Sequence, residues 1–394
     1  MRIAVSRAPG AERVVTPLEL FFDLVYVFAI GQLSHHLLEH VDLRTGAETV
    51  IMALAVVHAW YMTAWGANWL DPGRLPVRML LVGLMFASLL MSAGIADAFD
   101  DRAWLFVTGY LLLQIGRAAF LIVALRGRPL GEHFVNDMVW EVAVGALWIA
   151  GAVVDGDARL VLWGLAVVTA HAGGWALHWL PGRGRAIDLE HTDIAGEHLL
   201  ERIRLFFIIA LGETVLTTGS AFTSEPFSFE RLVALAVAFT GTVALWWGYF
   251  QREEVARAAV EEAEDAGRVG WWGTWTLTMM VLALIAIAVG DELAIAHPED
   301  EATLGFTILT FGGPALFLLA QWLFLREALG RSARTLLVGM AALAILAVAT
   351  VPLALLPGIT AAAAVLVGVA VSATVRTEPD HRTYRREMAN ETEA

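Results

Sequence analysis

The chain has 394 residues, 58% of them apolar and only 17% charged, with a formal net charge of −14 and a mean hydropathy of +0.65. Soluble domains carry about 25% charged and about 45–50% apolar residues, so one soluble core is excluded, and the acidic balance excludes a nucleic-acid partner, which needs a basic face. Cysteine is absent, which rules out disulfides, thiolate metal sites, cysteine nucleophiles and palmitoylation.

A spanning helix needs about 20 mostly apolar residues. Twelve windows meet this: 18–38, 49–69, 78–98, 103–125, 138–154, 160–180, 203–222, 231–250, 272–293, 304–326, 335–356 and 359–375. Backbone groups in lipid must pair within their own segment, so these are helices. The expected fold is an all-α polytopic membrane bundle of about twelve helices. The arginines, which are all 26 of the basic residues, sort by side. Twenty-one fall in the loops and tails on the side of the N-terminus. Four (Arg44, Arg102, Arg159 and Arg231) fall opposite, and Arg117 lies inside a span. By the positive-inside rule both termini are expected in the cytoplasm, in a multi-pass protein of the cytoplasmic membrane.

Ionisable groups inside a span are costly and usually face a bundle interior or a water path. In chain order, span 1 carries Glu19 and Asp23, four apart and on one face. Glu19 suits the positive end of a helix, whereas Asp23, a turn deeper and followed by Leu-Val-Tyr-Val-Phe, is a candidate for function. Span 2 holds His58. Span 4 holds Arg117, which needs a partner; Asp23, Glu141 and Glu213 are the candidates. Span 5 contributes Glu141. In span 6 His171, Trp175 and His178 share a face, and either a proton relay or a carbonyl-bonded ring fits His171. The stretch 191–202 contains His191, Asp193, Glu197, His198, Glu201 and Arg202 and reads as an amphipathic surface helix rather than a metal site. Span 7 places Glu213 near its middle, on a face with Arg202, Phe206 and Ile209. Gln251–Gly270 reads as a helical extension of span 8. Trp60, Trp65, Trp69, Trp179, Trp246, Trp247, Trp271 and Trp272 suit interfacial belts. Walker loops, dinucleotide glycine patterns and nucleophile elbows are missing, and no cofactor is expected.

The second half echoes the first. Leu20-Phe21-Phe22 opens span 1 and Leu205-Phe206-Phe207 opens span 7; Trp60-Tyr61 is matched by Trp246-Trp247 and Tyr249; Asp97 ends span 3 and Asp291 ends span 9. Six spans per half make parallel repeats about an axis along the membrane normal, an arrangement common in transporters. The expected domains are a first six-helix repeat at 1–180, a cytoplasmic amphipathic linker at 181–202, a second repeat at 203–376 and a cytoplasmic tail at 377–394.

The run Leu18-Glu19-Leu20-Phe21-Phe22-Asp23-Leu24-Val25-Tyr26-Val27-Phe28 resembles the opening helix of bacterial low temperature requirement A (LtrA) proteins. So does the run from Glu201-Arg202-Ile203-Arg204-Leu205-Phe206-Phe207 to Leu211-Gly212-Glu213, with His198 just before it. The resemblance implies a multi-span membrane protein linked to growth at low temperature, with no established molecular activity. A second likeness is to a potassium channel family of six-helix repeats that carries Arg-x-x-x-Phe-Ser-Asp in the first helix of each. Phe21-Phe22-Asp23 is similar to the end of that motif and Arg202-x-x-x-Phe206-Phe207 to its start, with Pro17 and Ile208 at the departing positions.

The leading expectation is a secondary transporter of a small solute or ion, not an enzyme. Its binding residues would be Glu19, Asp23, Arg117, Glu141, His171, Arg202 and Glu213, handling a proton or cation, and Arg117 would balance their charge or hold an anionic substrate. Three alternatives stand beside it: a cation channel lined by helices 1 and 7 with the Phe pairs as gates, a non-transporting scaffold or regulator, and an intramembrane lipid enzyme using Glu213, His171 and Asp23. Partners are the lipid bilayer and the transported species, and a homo-oligomer stays open.

Overall fold

The computed structural model describes residues 15–186, 196–261, 266–350 and 354–392. They are helical almost throughout: α1 (Pro17–Glu39), α2 (Leu43–Ala67), α3 (Leu75–Ala93), α4 (Ala103–Ala124), α5 (Pro129–Val153), α6 (Asp157–Trp175), α7 (Gly196–Ser224), α8 (Phe229–Glu261) and α9 (Ala266–Ala296). A composite span follows, built from α10 (Leu304–Thr307), a π turn (Ile308–Gly312), α11 (Gly313–Leu323) and a second π turn (Phe324–Ala328). The last helices are α12 (Arg334–Thr350) and α13 (Leu355–Thr392). Among the described residues the only β pairing is two isolated bridges, Leu180 with Gly184 and Glu301 with Ala354.

Ten helices are long and apolar enough to cross a membrane, with Leu304–Ala328 counted as one. This is a multi-pass membrane protein. Of the other expected spans, α6 carries Asp157, Arg159 and His171, and the apolar run of α12, Arg334–Ala349, is short. Several edges move for physical reasons. The fifth span starts at Pro129, not 138, because proline at the first helical position has the right φ and lacks only an N–H that would go unpaired. The sixth stops at Trp175, not 180, where Leu177 and His178 turn left-handed at φ 52° and 51°. The π turn before α11 precedes Pro314, whose ring cannot donate an N–H and crowds the carbonyl four residues back.

Local chemistry starts the helices well. Thr16 and Glu19 form a capping box on α1: the Thr16 backbone N–H and hydroxyl both donate to Glu19 Oε2 at 2.8 Å. Asp42 caps α2, accepting from the Thr45 N–H at 2.9 Å. Outward stripes such as Met79, Val82, Phe86 and Leu89 on α3 stay exposed. An apolar surface of this kind is matched to hydrocarbon rather than water.

The chain divides into two compact units, and the divide falls within α7 and α9. The first unit comprises Met1–Ala210 and Asp265–Leu282; the second comprises Leu211–Glu264 and Ala283–Ala394. In the first, α3 packs against α1 and α4, and α5 lies between α4 and α6. Its aromatic core gathers Phe106, Tyr110, Trp148 and Trp163, with the Trp163 indole N–H donating to the Trp148 carbonyl at 3.0 Å. In the second, α13 lies along α8. Its core joins Ala221, Ala234, Ala238, Ala294, Ile295, Phe306, Leu355 and Ile359, and the four alanines are small enough to let helices approach closely.

One expectation needs correction. Trp60 and Trp65 are not belt residues: both are buried, Trp60 completely. Arg159, one of the four arginines counted on the side opposite the N-terminus, sits buried at the start of α6, donating to the carbonyls of Gly151, Val154 and Asp100 at 3.0–3.1 Å. Unpaired helix-end carbonyls need donors, and the guanidinium supplies several in one plane.

The tightest helix contact lies between α3 and α4 at Gly109, where a Cβ would stand 2.3 Å from the Met91 nitrogen and 2.8 Å from the Ala87 carbonyl oxygen. Gly116, on the same helix, has only Leu84 Cδ2 at 3.8 Å. Gly109→Ala is therefore expected to cost about 1–3 kcal/mol by forcing the backbones apart, and Gly116→Ala to be neutral or mildly stabilising. Thermal unfolding in detergent, compared between the two variants, checks this.

Candidate functional site

The first unit holds two buried charge clusters of the same make-up: two carboxylates, one arginine and one histidine. The first lies between α1 and α7. The four-residue spacing of Glu19 and Asp23 on α1 meets the four-residue spacing of His198 and Arg202 on α7. His198 Nε2 lies 3.2 Å from Glu19 Oε1, and the Arg202 guanidinium forms a short ion pair with Asp23. Tyr26 and Phe206 meet a turn further on, ring centroids 5.9 Å apart. Pairs in this order make the two helices neighbours running in the same direction. All four charged side chains are buried.

Aromatic groups close this cluster. The Trp60 indole N–H, from α2, donates to Asp23 Oδ1 at 2.7 Å. The Arg202 guanidinium faces the rings of Phe22 and Trp60 at 5.7 and 5.8 Å, and such cation–π contacts strengthen where water is excluded. Ser88 of α3 donates to the Tyr26 hydroxyl at 3.2 Å. Three helices, α1, α2 and α7, thus converge on Asp23, and α3 joins them through Tyr26.

The second cluster lies between α4 and α5. Arg117 Nη1 is 3.1 Å from Asp137 Oδ2, and its Nη2 is 3.2 Å from Glu141 Oε1. Gln114 Nε2 donates to Glu141 Oε1 at 2.8 Å, and His178 Nε2 lies 3.3 Å from Asp137 Oδ1. His133, one turn before Asp137, stacks edge-on to His178 at 5.1 Å. Beside the start of α5 a cleft of about 570 Å³ is lined by Pro129, Glu132, Asn136, Arg183 and Ala186.

These positions test the residues singled out from sequence. Glu19, Asp23 and Arg202 meet in one cluster, and Arg117 and Glu141 in the other. Of the three candidate partners for Arg117, Glu141 is one, Asp23 is taken by Arg202, and Glu213 belongs to the second unit. Glu213 is buried there and accepts from the Thr217 hydroxyl at 2.6 Å. His171 takes the plainer of its two readings: its Nδ1 bonds the Val167 carbonyl at 2.9 Å, with its ring against His58 at 4.9 Å and Trp275 at 5.0 Å. The surface helix expected over 191–202 is corrected from His198 onward. His198 and Arg202 belong to the first turns of α7 and are buried because their side chains face the acids of α1. His191 and Asp193 lie outside the described residues. No group of metal-ligating side chains occurs among the described residues.

Sequence reading missed Asp137, His178 and Gln114 as site members. Asp137 stands just before the expected edge of span 5, and its four-residue spacing from Glu141, with Pro129 as the helix start, was the available signal. His178 was placed on the face of a helix that in fact ends earlier. Nothing in the sequence marks Gln114 beyond its being polar within a span.

A profile of the bacterial low temperature requirement A proteins matches residues 14–371. The chain belongs to this family. An uncharacterized protein of Rhizobium meliloti (strain 1021) is 37% identical to it over 306 residues, covering 76% of this chain and 74% of that one. No solved structure matches. The LtrA runs named from sequence contain Glu19, Asp23, Arg202 and the adjacent His198, so the α1–α7 cluster is built from the segments by which the family was recognised.

A buried charge without its partner is strongly destabilising, while a matched apolar pair can be neutral or better. Arg202→Leu is therefore expected to cost about 3–5 kcal/mol, and the double variant Asp23→Leu with Arg202→Leu to regain most of that loss. Unfolding of the detergent-solubilised protein in a double-mutant cycle measures the coupling.

Proposed function

We propose that this LtrA protein is a secondary transporter of a small solute or ion, with the buried carboxylates of the first unit as its ion-handling groups. The observation that carries this reading is the excess of acid in both clusters. One carboxylate per arginine would satisfy a structural ion pair. Here Asp23 pairs with Arg202 while Glu19 lies against His198, and Asp137 and Glu141 both meet Arg117. Each charged residue at mid-membrane costs about 2.5–3.5 kcal/mol on insertion scales, so the second acid on Arg117 is a standing expense unless it binds something. A histidine beside each acid pair adds a group able to exchange protons near neutral pH.

On this reading the halves are parallel six-helix repeats, with α1 and α7 as matching first helices. Their side-by-side course supports an axis close to the α1–α7 contact. The arginine distribution supports cytoplasmic termini in the inner membrane. Because the chain lacks cysteine, single-cysteine labelling has no background. Arg128→Cys is expected to react with an impermeant maleimide only from the cytoplasmic side, and Asp101→Cys only from outside; both positions are exposed.

Transport itself is tested in proteoliposomes under imposed ion, proton and solute gradients. Saturable flux is expected in the wild type. Asp23→Asn and Glu141→Gln, which keep shape and lose charge, are each expected to lower it by about tenfold or more, equivalent to about 1.4 kcal/mol on the transport barrier. Flux absent from well-folded wild type under every gradient would remove the reading.

A further inference from the structure

The cluster on α5 is built differently from a closed ion pair. α5 sets His133, Asp137 and Glu141 at successive four-residue steps, on one face. Asp137 is fully buried and Glu141 and Arg117 nearly so. With both acids ionised, one guanidinium leaves one negative charge uncompensated in a low-dielectric place. Several buried polar atoms also find no hydrogen-bond partner: Glu141 Oε2, Gln114 Oε1, Arg117 Nε and both ring nitrogens of His133. Two of these are acceptor oxygens of hydrogen-bonded neighbours, Gln114 and Glu141. What such a pair lacks is a hydrogen. A metal cation is a poorer fit, because the guanidinium already occupies the space between the two carboxylates.

The neighbouring turn gives a route. After α6 the chain places Leu177 and His178 in the left-handed region, a cost for residues with side chains. The His178 N–H is held by the Gly173 carbonyl at 2.8 Å, and the ring is thereby aimed at Asp137 Oδ1, 3.3 Å away. The short turn that follows, bridged at Leu180 and Gly184, lies over the start of α5. Asn136 donates to the Gly184 carbonyl at 3.1 Å, and Arg183 donates to Asn136 Oδ1 at 3.0 Å and to Glu132 at 2.6 Å. Asn136 and Arg183 line the open cleft, and Asn136 is the residue before Asp137. The cleft lining thus reaches the residue next to Asp137 on α5.

We infer that Arg117, Asp137 and Glu141 form a proton-binding site holding one exchangeable proton, filled from the cleft by way of His178. His178 takes a proton from water and passes it from Nε2 to the Asp137–Glu141 pair, returning to neutral imidazole; the proton then rests on a carboxyl oxygen, removing the one uncompensated charge. The other titratable groups facing the site are Tyr110 from α4, His133 on α5 itself and His58 from α2. That this proton is the coupling ion rests on the transport reading; the site itself does not.

Infrared difference spectra of the full chain in lipid nanodiscs, recorded across a pH series in H2O and D2O, read the proton directly. The wild type is expected to show a deuterium-sensitive carboxylic C=O band that disappears as pH rises. Glu141→Gln should abolish that band, Glu141→Asp should shift it, and His178→Gln should leave it in place but slow its response to a pH jump. An identical band in wild type and Glu141→Gln, or none in the wild type at any pH, would overturn the proposal in favour of a structural ion pair only. A band that vanishes on adding sodium at constant pH would overturn it in favour of a metal cation. The two readings fail separately: the expected spectra without flux remove transport and keep the proton site, whereas flux with unaltered spectra removes the proton site alone.

Discussion

Arg202 sits where a guanidinium can be kept only by an acid, and Asp23 is that acid. No water can take the place of either partner inside the helix packing, so each charge makes the other a condition of folding. Around this pair the rest of the first unit is arranged. Trp60 of α2 and the ring of Phe22 enclose it, Glu19 and His198 repeat the contact one turn toward the helix starts, and Tyr26 ties α1 to Ser88 of α3. The register of α1 against α7 follows directly, because four-residue spacing on both helices allows both ion contacts only in one alignment.

The same physics accounts for what the second cluster does differently. Both oxygens of the Asp23 carboxylate are engaged, by Arg202 and by the Trp60 indole, so that pair is chiefly a clamp. Around Glu141, acceptor oxygens remain without donors although a cleft opens nearby. An incompletely satisfied carboxylate in a dry interior is where a mobile ion or proton gains most by binding. A clamp that orders the helices and an adjacent site that exchanges a proton are a workable division of labour for a transporter.

The two runs that resemble LtrA proteins, Leu18–Phe28 and Glu201–Glu213, look in sequence like unrelated apolar segments. In the fold, the first turns of each interlock. Residues 179 positions apart make one structural element.

Much was legible without coordinates. Hydropathy alone determined that this is a helical membrane protein and roughly where its spans lie, because lipid allows no other use of such segments. The cost of burying charge singled out Asp23, Arg117, Glu141 and Glu213 as notable. Pairing was beyond reach: Arg117 had several acids at plausible depth, and only tertiary packing set Asp137 and Glu141 beside it and gave Asp23 to Arg202. Helix edges decided the rest. A start at Pro129 rather than 138 turned Asp137 from a loop residue into a buried ligand of Arg117, and the left-handed turn after Trp175 carried His178 off its helix and onto that acid. Composition acts through the solvent and is additive along the chain, so the sequence by itself determines it. Charge pairing acts over a few ångströms between residues far apart in the chain, so only the tertiary structure decides it.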